Sequence, residues 1–211
     1  MRECVIIGRP NSGKTMFALN FAGYLGAKSV DVTFRTYDGL MTCRHFSLEE
    51  GKRELCGMAL HKTRSLQSLV LRMTVGKTAV NFKLTDTCGV SEHIHQEEVI
   101  RKGMAQTIGL LRSADLILHM VDLSLIGRDF TNNSTSIDHE FYKYGVTRKS
   151  YLLLGNKYDL SSAKDNLLRL AAAFPKATII PVSALHSQGY RTQMTIKFRA
   201  SGEAADSDLL V

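Results

Sequence analysis

The chain has 211 residues, 44% of them hydrophobic and 22% charged, a composition that indicates one globular domain with a substantial core and excludes extensive disorder. Its formal net charge of +7 favours an anionic partner, such as nucleic acid or a ribosomal surface, although the basic residues are scattered. No apolar run reaches the roughly 18 residues of a transmembrane segment, no secretory signal is visible, and the four cysteines form no CxxC pair, so we expect a cytoplasmic protein with free thiols.

The first part of the chain predicts one strand and one helix, followed by a long irregular stretch. Cys4–Ile7 is a short apolar run typical of a strand, and a helix begins at about Lys14, with Phe17 and Phe21 on one face. Residues 26–61 are polar and show no clear period. This stretch is therefore predicted to be a functional loop or an insertion.

The middle of the chain predicts a hairpin and an amphipathic helix. Two strand-like runs, Leu66–Thr74 and Ala79–Thr85, are separated by a plausible turn. Gln96–Arg112 has apolar residues spaced for one face of a helix.

The remaining elements alternate between strands and helices. Leu116–Val121 and Tyr151–Leu154 are continuous apolar runs, as expected for strands covered on both faces, and Thr178–Val182 is one more short strand. A short helix is predicted after Ser136, and a longer one ends at Phe174. The alternation predicts an α/β fold: a mostly parallel central sheet with one antiparallel edge strand, helices on both faces, and a ligand at the carboxyl ends of the strands.

The segment GRPNSGKT, residues 8–15, fits the phosphate-binding pattern G-x-x-x-x-G-K-[ST] between a predicted strand and a predicted helix. Glycines let the backbone approach a phosphate closely, and the start of the helix adds the positive end of its dipole. We predict that Lys14 reaches the β- and γ-phosphates and that the Thr15 hydroxyl binds Mg²⁺. The predicted nucleotide-binding residues of this segment are Gly8, Asn11, Ser12, Gly13, Lys14, Thr15 and Met16.

Two later motifs distinguish guanine from adenine. The segment NKYD, residues 156–159, follows a predicted strand, and its final carboxylate accepts hydrogen bonds from guanine N1–H and the 2-amino group, both of which adenine lacks. The segment VSA follows the last predicted strand, where a backbone N–H would meet guanine O6. The predicted base-binding residues are Asn156, Lys157, Asp159, Ser183 and Ala184.

With these motifs the chain resembles the P-loop GTPases, because GRPNSGKT, DTCG, GNKYD and VSA occur in the standard order. The combination looks most like the Era-like branch of the translation-factor-related GTPases, which includes ribosome-assembly and tRNA-modification enzymes. The resemblance implies a three-layer P-loop NTPase G domain over residues 1–190, with GTP or GDP as ligand, Mg²⁺ as cofactor and a ribosome or rRNA as a possible partner.

The resemblance also implies roles for residues outside the first loop. Asp86 would hold Mg²⁺ through a water, and the N–H of Gly89 would contact the γ-phosphate. A threonine of the first switch would close onto Mg²⁺, and Thr63 is the predicted residue. The alternatives are Thr33, Thr36 and Thr42.

The source of water positioning is a separate question, because Val90 follows the DTCG motif and its side chain has no group that orients water. In the Era-like branch an asparagine in the P-loop helps to hold K⁺ beside the phosphates. By resemblance, Asn11 is therefore predicted to be catalytic together with Lys14, through a bound K⁺.

The chain departs from the family pattern in two regions. Residues 30–65 are predicted to form an enlarged first switch, and residues 191–211 an atypical tail of unknown role. Three functions stay open: a slow GTPase switch, with a nucleotide-dependent dimer possible; a GTP-dependent adaptor with negligible hydrolysis; and an ATP-binding protein, which the NKYD motif disfavours.

Overall fold

The computed structural model describes residues 1–56, 65–75, 78–91, 96–127, 130, 136–148 and 150–190. Within them a single sheet contains eight strands, joined in the spatial order β3-β2-β4-β5-β1-β6-β7-β8. The strands are β1 (Arg2–Gly8), β2 (Ser29–Arg35), β3 (Met41–Ser47), β4 (Leu66–Val75), β5 (Thr78–Asp86), β6 (Leu116–Asp122), β7 (Tyr151–Asn156) and β8 (Ile179–Pro181).

Helices cover both faces of this sheet. In the described part of the chain they are α1 (Lys14–Tyr24), α2 (Leu48–Leu55), α3 (Glu98–Leu110), α4 (Ile137–Gly145) and α5 (Ala163–Ala173). None of these helices is long and apolar enough to cross a bilayer.

The parallel part of the sheet comprises β5, β1, β6, β7 and β8, in which each strand pairs in parallel with the next. Alternate residues of β1 point to opposite faces. Cys4 and Ile6 belong to the core under α1, whereas Val5 and Ile7 belong to the core under α3 and α4. Both faces are covered, which explains why the strands appear in the sequence as continuous apolar runs. The predicted α/β fold is confirmed. Its antiparallel edge region is larger than the one strand that was predicted, since β2, β3 and β4 all pair antiparallel there.

The expectation of an irregular stretch over residues 26–61 is wrong for its described part. β2 pairs antiparallel with β4, and β3 pairs antiparallel with β2 at the edge of the sheet. The Ser47 side chain accepts a hydrogen bond from the N–H of Glu50 and caps α2. This helix packs on α1, where Gly51 faces Leu19 and the fully buried Phe46. The segment therefore shares the core of the main sheet.

The sequence pattern of this segment is weak because its strands lie at an edge. Only Phe46 of β3 is buried, so the strand lacks the alternation of apolar and polar residues that predicts a half-buried strand. Only Val30 and Val32 of β2 are buried. These residues are extended because they pair with a neighbouring strand. Their sequence does not alternate between apolar and polar side chains.

Candidate functional site

The loop between β1 and α1 approaches the end of β7 very closely. Asn11 (φ 58°) and Gly13 (φ 98°) adopt the left-handed backbone conformation, which turns the loop back toward the start of α1 at Lys14. A Cβ atom on Gly13 would lie 2.2 Å from Asn156 Nδ2, so only glycine permits this approach. The loop and the first turn of the helix form a phosphate cradle of the kind that binds anions.

Lys14 is the buried cation of this cradle. Its Nζ donates hydrogen bonds to the carbonyl oxygens of Arg9 (2.7 Å) and Gly8 (3.3 Å). Burial lowers the pKa of the ammonium, and the charge of Asp86 opposes that effect. Two neutral carbonyl acceptors therefore hold this side chain at the loop. When a nucleotide binds, the charged oxygens of its phosphates would take their place as stronger acceptors.

Two buried oxygen atoms beside Lys14 have no hydrogen-bond partner among the described residues: Ser12 Oγ and Asp86 Oδ1. The other carboxylate oxygen of Asp86, Oδ2, accepts a hydrogen bond from Thr15 Oγ1 at 2.5 Å. Burial raises the pKa of Asp86 to about 6 despite the nearby charge of Lys14. Burial thus outweighs the charge of Lys14 and the hydrogen bond from Thr15, and a second cation at this carboxylate would stabilise its ionised form.

These oxygen atoms fit Mg²⁺, which is usually held by one or two protein oxygens together with substrate phosphates and water. Among the described residues there is no group of three or more His, Cys, Asp and Glu side chains that would hold a metal ion alone. Thr15 and Asp86 would therefore supply the protein ligands. The third predicted ligand, Thr63, lies outside the described residues. Of its alternatives, Thr33 and Thr42 lie within β2 and β3, and the Thr36 hydroxyl bonds Asp38 in the turn between them.

The DTCG segment, residues 86–89, lies directly against the P-loop. A Cβ atom on Gly89 would be 2.5 Å from the backbone nitrogen of Pro10, so glycine is required here by contact. The N–H of Val90 donates to the Gly8 carbonyl (3.2 Å), and the Val90 side chain is buried in the core under α3 and α4. Val90 therefore has a packing role, and water positioning depends on other groups.

The NKYD loop joins the base and phosphate regions. Asn156 Nδ2 donates to the Ser12 carbonyl (2.7 Å), and Asn156 Oδ1 accepts from the N–H of Ala184 (2.8 Å). Lys157 has a left-handed backbone (φ 64°), and its Nζ pairs with Asp122 Oδ2 at 2.5 Å.

Asp159 lies close to the VSA loop. A hydrogen bond from the Ser183 side chain lowers the pKa of Asp159 and so favours its ionised form at neutral pH. The predicted site residues therefore surround one region at the carboxyl ends of β1, β5, β7 and β8. Met16 differs from them, since its side chain is partly buried against the core beside α1.

Three residues of this region were not predicted from the sequence. Asp122 ends β6 and orients Lys157; its position at the carboxyl end of a buried strand was a usable signal. Asn20 and Asp138 contact the VSA loop and the P-loop respectively, but they lie far from these partners in sequence. A single sequence contains no signal for such pairs.

Three features define a P-loop nucleotide-binding domain. They are the parallel sheet, the glycine-containing loop before α1, and the Asp86 carboxylate that meets the Thr15 hydroxyl beside that loop. More specifically, the chain belongs to the 50S ribosome-binding GTPase family, whose model matches residues 3–157. The resemblance to the P-loop GTPases is thereby confirmed.

Several named GTPases are similar in sequence to parts of this chain. GTPase Obg of Shouchella clausii is 32% identical over 54% of this chain and 27% of its own length. GTPase Der of Leptospira borgpetersenii is 27% identical over 84% of this chain and 30% of its own length. The tRNA modification GTPase MnmE of Chlorobium chlorochromatii is 27% identical over 72% of this chain and 33% of its own length. The chain thus spans about a third or less of these relatives.

Solved structures of Era share the fold. Era in complex with MgGDPNP and nucleotides 1506–1542 of 16S ribosomal RNA superposes with a TM-score of 0.58 at 22% identity, covering 88% of this chain and 52% of Era. Era of Aquifex aeolicus bound to GDP·AlF4⁻ gives a TM-score of 0.55 at 19% identity, covering 89% and 53%. At these identities the likeness concerns the fold.

Proposed function

We propose that this chain is a guanine-nucleotide switch that slowly hydrolyses GTP to GDP and phosphate. The observation that carries the proposal is the position of Asn156, which bonds the P-loop through Ser12 and the VSA loop through Ala184. One side chain thus sets the spacing between a phosphate cradle and a base-binding loop. Membership of a GTPase family supports the same activity.

In the proposed mechanism, the chain binds and orients the triphosphate for in-line attack by water. The buried Lys14 ammonium leaves the carbonyls of Gly8 and Arg9 for the β- and γ-phosphates and offsets their charge. Thr15 and Asp86 hold Mg²⁺, which supplies charge stabilisation at the phosphate oxygens when bound. The N–H of Gly89 contacts the γ-phosphate. The segments proposed to differ between the GTP and GDP states are residues 86–98, which include Gly89, and residues 30–65.

The expected activity is slow turnover that is selective for GTP. We expect phosphate release with Mg²⁺ and excess GTP at about 10⁻⁴ to 10⁻² s⁻¹, the range of GTPase switches without a partner. ATP should give no turnover, and Lys14→Ala should abolish the activity because the cradle loses its cation. Multiple-turnover phosphate release measures both. Tight GTP binding without turnover would favour an adaptor function, and equal competition by ATP would contradict the proposal.

The group that assists the attacking water is proposed to be K⁺ held by Asn11. We expect hydrolysis to be about tenfold or more faster in KCl than in NaCl at equal ionic strength, since a fixed cation stabilises the charge that develops in the transition state. The Asn11→Ala variant should lose this difference while still binding GDP. Equal rates in the two salts would assign water positioning to a switch residue or a partner instead.

The proposed partner is a ribosome or rRNA. The support comes from the net charge of +7, the family description and the complex of Era with a 16S rRNA fragment. A nucleotide-dependent dimer remains a prediction, as does the enlarged switch at residues 30–65. The atypical tail predicted at residues 191–211 lies outside the described part of the chain.

A further inference from the structure

Asn20 is a buried amide on an otherwise apolar part of α1. Its residue is only 7% exposed, and its neighbours Phe17 and Phe21 are fully buried core residues. Burying an amide costs free energy unless it forms hydrogen bonds. Asn20 Nδ2 donates to the carbonyl of Ala184 at 2.6 Å and lies 3.5 Å from that of Leu185. Its bonding capacity is therefore directed at the loop after β8.

The peptide groups of Ala184 are held on both sides. The N–H donates to Asn156 Oδ1 (2.8 Å), and the carbonyl accepts from Asn20 Nδ2 (2.6 Å). Asn156 also bonds the carbonyl of Ser12 in the P-loop, and α1, which carries Asn20, begins where the P-loop ends. These contacts link the phosphate cradle to Asn156, Asn156 to Ala184, and Ala184 to Asn20, and α1 links Asn20 back to the cradle.

We infer that Asn20 is a specificity-determining positioning residue, which fixes the backbone of Ala184 and Leu185 at the height of the guanine O6. The inference rests on the proposed guanine-nucleotide function. The N–H groups of Ser183 and Ala184 already donate to Gln188 and Asn156, so the donor to guanine O6 is the N–H of Leu185. This N–H belongs to the same planar peptide group as the Ala184 carbonyl that Asn20 holds. The N–H discriminates O6 of guanine from the 6-amino group of adenine only while that peptide group stays in place.

The effect of Asn20 is confined to this one edge of the base. Ser183, which bonds Asp159, is anchored separately, since its N–H and carbonyl pair with the backbone of Gln188 at 3.2 and 3.1 Å. The contact of Asp159 with the 2-amino group should therefore survive the loss of Asn20. The phosphate cradle retains Lys14 and the bond between Asn156 and Ser12.

The test uses Asn20→Leu and Asn20→Ala with four probes: GDP, IDP, ADP and inorganic pyrophosphate. Leucine fills the space of the amide without its bonds, and alanine removes the bonds without crowding, so the two variants separate packing from hydrogen bonding. We expect the Kd of GDP to rise roughly 10-fold to 100-fold. IDP, which keeps O6 but lacks the 2-amino group, should weaken by the same factor, whereas ADP and pyrophosphate should stay within about twofold.

A matched control is Asn166→Leu. Asn166 is equally buried on α5, and its Nδ2 donates to the carbonyl of Leu123 at 2.9 Å, so the same chemistry is lost away from the VSA loop. This variant should lose thermal stability but keep the ratio of GDP to ADP affinity.

The outcomes separate the inference from the function on which it rests. A wild-type chain that binds ADP as tightly as GDP would overturn the proposed function. A selective wild type whose Asn20 variants lose affinity for all four probes alike, or for none, would overturn the role of Asn20 alone. A loss restricted to GDP and IDP supports it.

Discussion

The Asp159→Asn variant is expected to lose GTP affinity by roughly 10²-fold to 10⁴-fold and to gain affinity for xanthosine triphosphate. The carboxylate would accept two hydrogen bonds from guanine, and bonds to a charged group contribute about 1.5–3 kcal/mol each, or about tenfold per 1.4 kcal/mol. An asparagine amide presents a donor where guanine also presents one, whereas xanthine has an oxygen at that position. Competitive titration with a fluorescent nucleotide measures both affinities.

The surroundings of Asp159 strengthen this expectation. The hydrogen bond from Ser183 already lowers the pKa of Asp159, so the acid is ionised at neutral pH. The same hydrogen bond orients the Asp159 carboxylate. A suitable control is Asp165→Asn, which removes an exposed acid from the first turn of α5 without touching the loop. Its affinities should match those of the wild type. A variant at Asp159 that keeps its preference for GTP would place the base elsewhere.

The sequence was sufficient to predict the parallel sheet and the local parts of the site. β1, the P-loop and α1 are contiguous, so their geometry follows from a short pattern whose glycine and lysine positions have direct physical reasons. The Asn156 motif was also predictable, because parallel strands bring their carboxyl ends to one edge of the sheet.

The parts that were missed depend on tertiary contacts. β2 and β3 are extended because they pair with β4 and with each other, while most of their side chains are exposed. Asn20 meets Ala184 across 164 positions, and Arg9 meets Asp138 across 129 positions. A single polar residue such as Asn20 or Asp138 has many possible partners in the sequence, and only the folded chain selects one.

The Arg9–Asp138 pair belongs to a buried network that fixes the P-loop. Asp138 Oδ2 accepts from Arg9 Nε at 2.5 Å, and Asp138 Oδ1 accepts from His119 Nε2 at 3.0 Å. His119 Nδ1 lies 2.7 Å from the hydroxyl of Tyr151. Burial raises the pKa of Tyr151 well above its usual value, so its hydroxyl keeps its proton. With Tyr151 donating to His119 Nδ1, each of the four side chains in this hydrogen-bond network has a partner.

Asp138→Ala is expected to reduce the free energy of unfolding by about 3 kcal/mol, the lower part of the range for breaking a buried pair. The reason is that Asp138 and His119 are almost fully buried, whereas the Arg9 side chain, 31% exposed, regains some solvent. Urea unfolding at pH 7 measures the loss. Tyr151→Phe, which removes only the donor to His119, should cost about 1–2 kcal/mol.

The pH dependence provides an independent check of this network. Burial alone would raise the pKa of Asp138, but the hydrogen bond from His119 and the charge and hydrogen bond of Arg9 hold that pKa below the ordinary value of 3.8. A lowered carboxyl pKa stabilises the folded state at neutral pH, and this contribution is lost as the pH falls through the folded pKa. The difference between wild type and Asp138→Ala should therefore be full at pH 7 and shrink below about pH 4.

The matched control lies on the same helix. Glu140 forms an exposed pair with Lys143 at 2.8 Å, and such surface pairs contribute about 0–1 kcal/mol. Glu140→Ala should therefore leave both stability and GDP affinity nearly unchanged. Asp138→Ala should weaken GDP binding as well, because Arg9, whose carbonyl holds Lys14, loses its buried carboxylate partner. If Asp138→Ala costs no more than Glu140→Ala, the P-loop is held by its backbone contacts to Val90 and Asn156 and not by this ion pair.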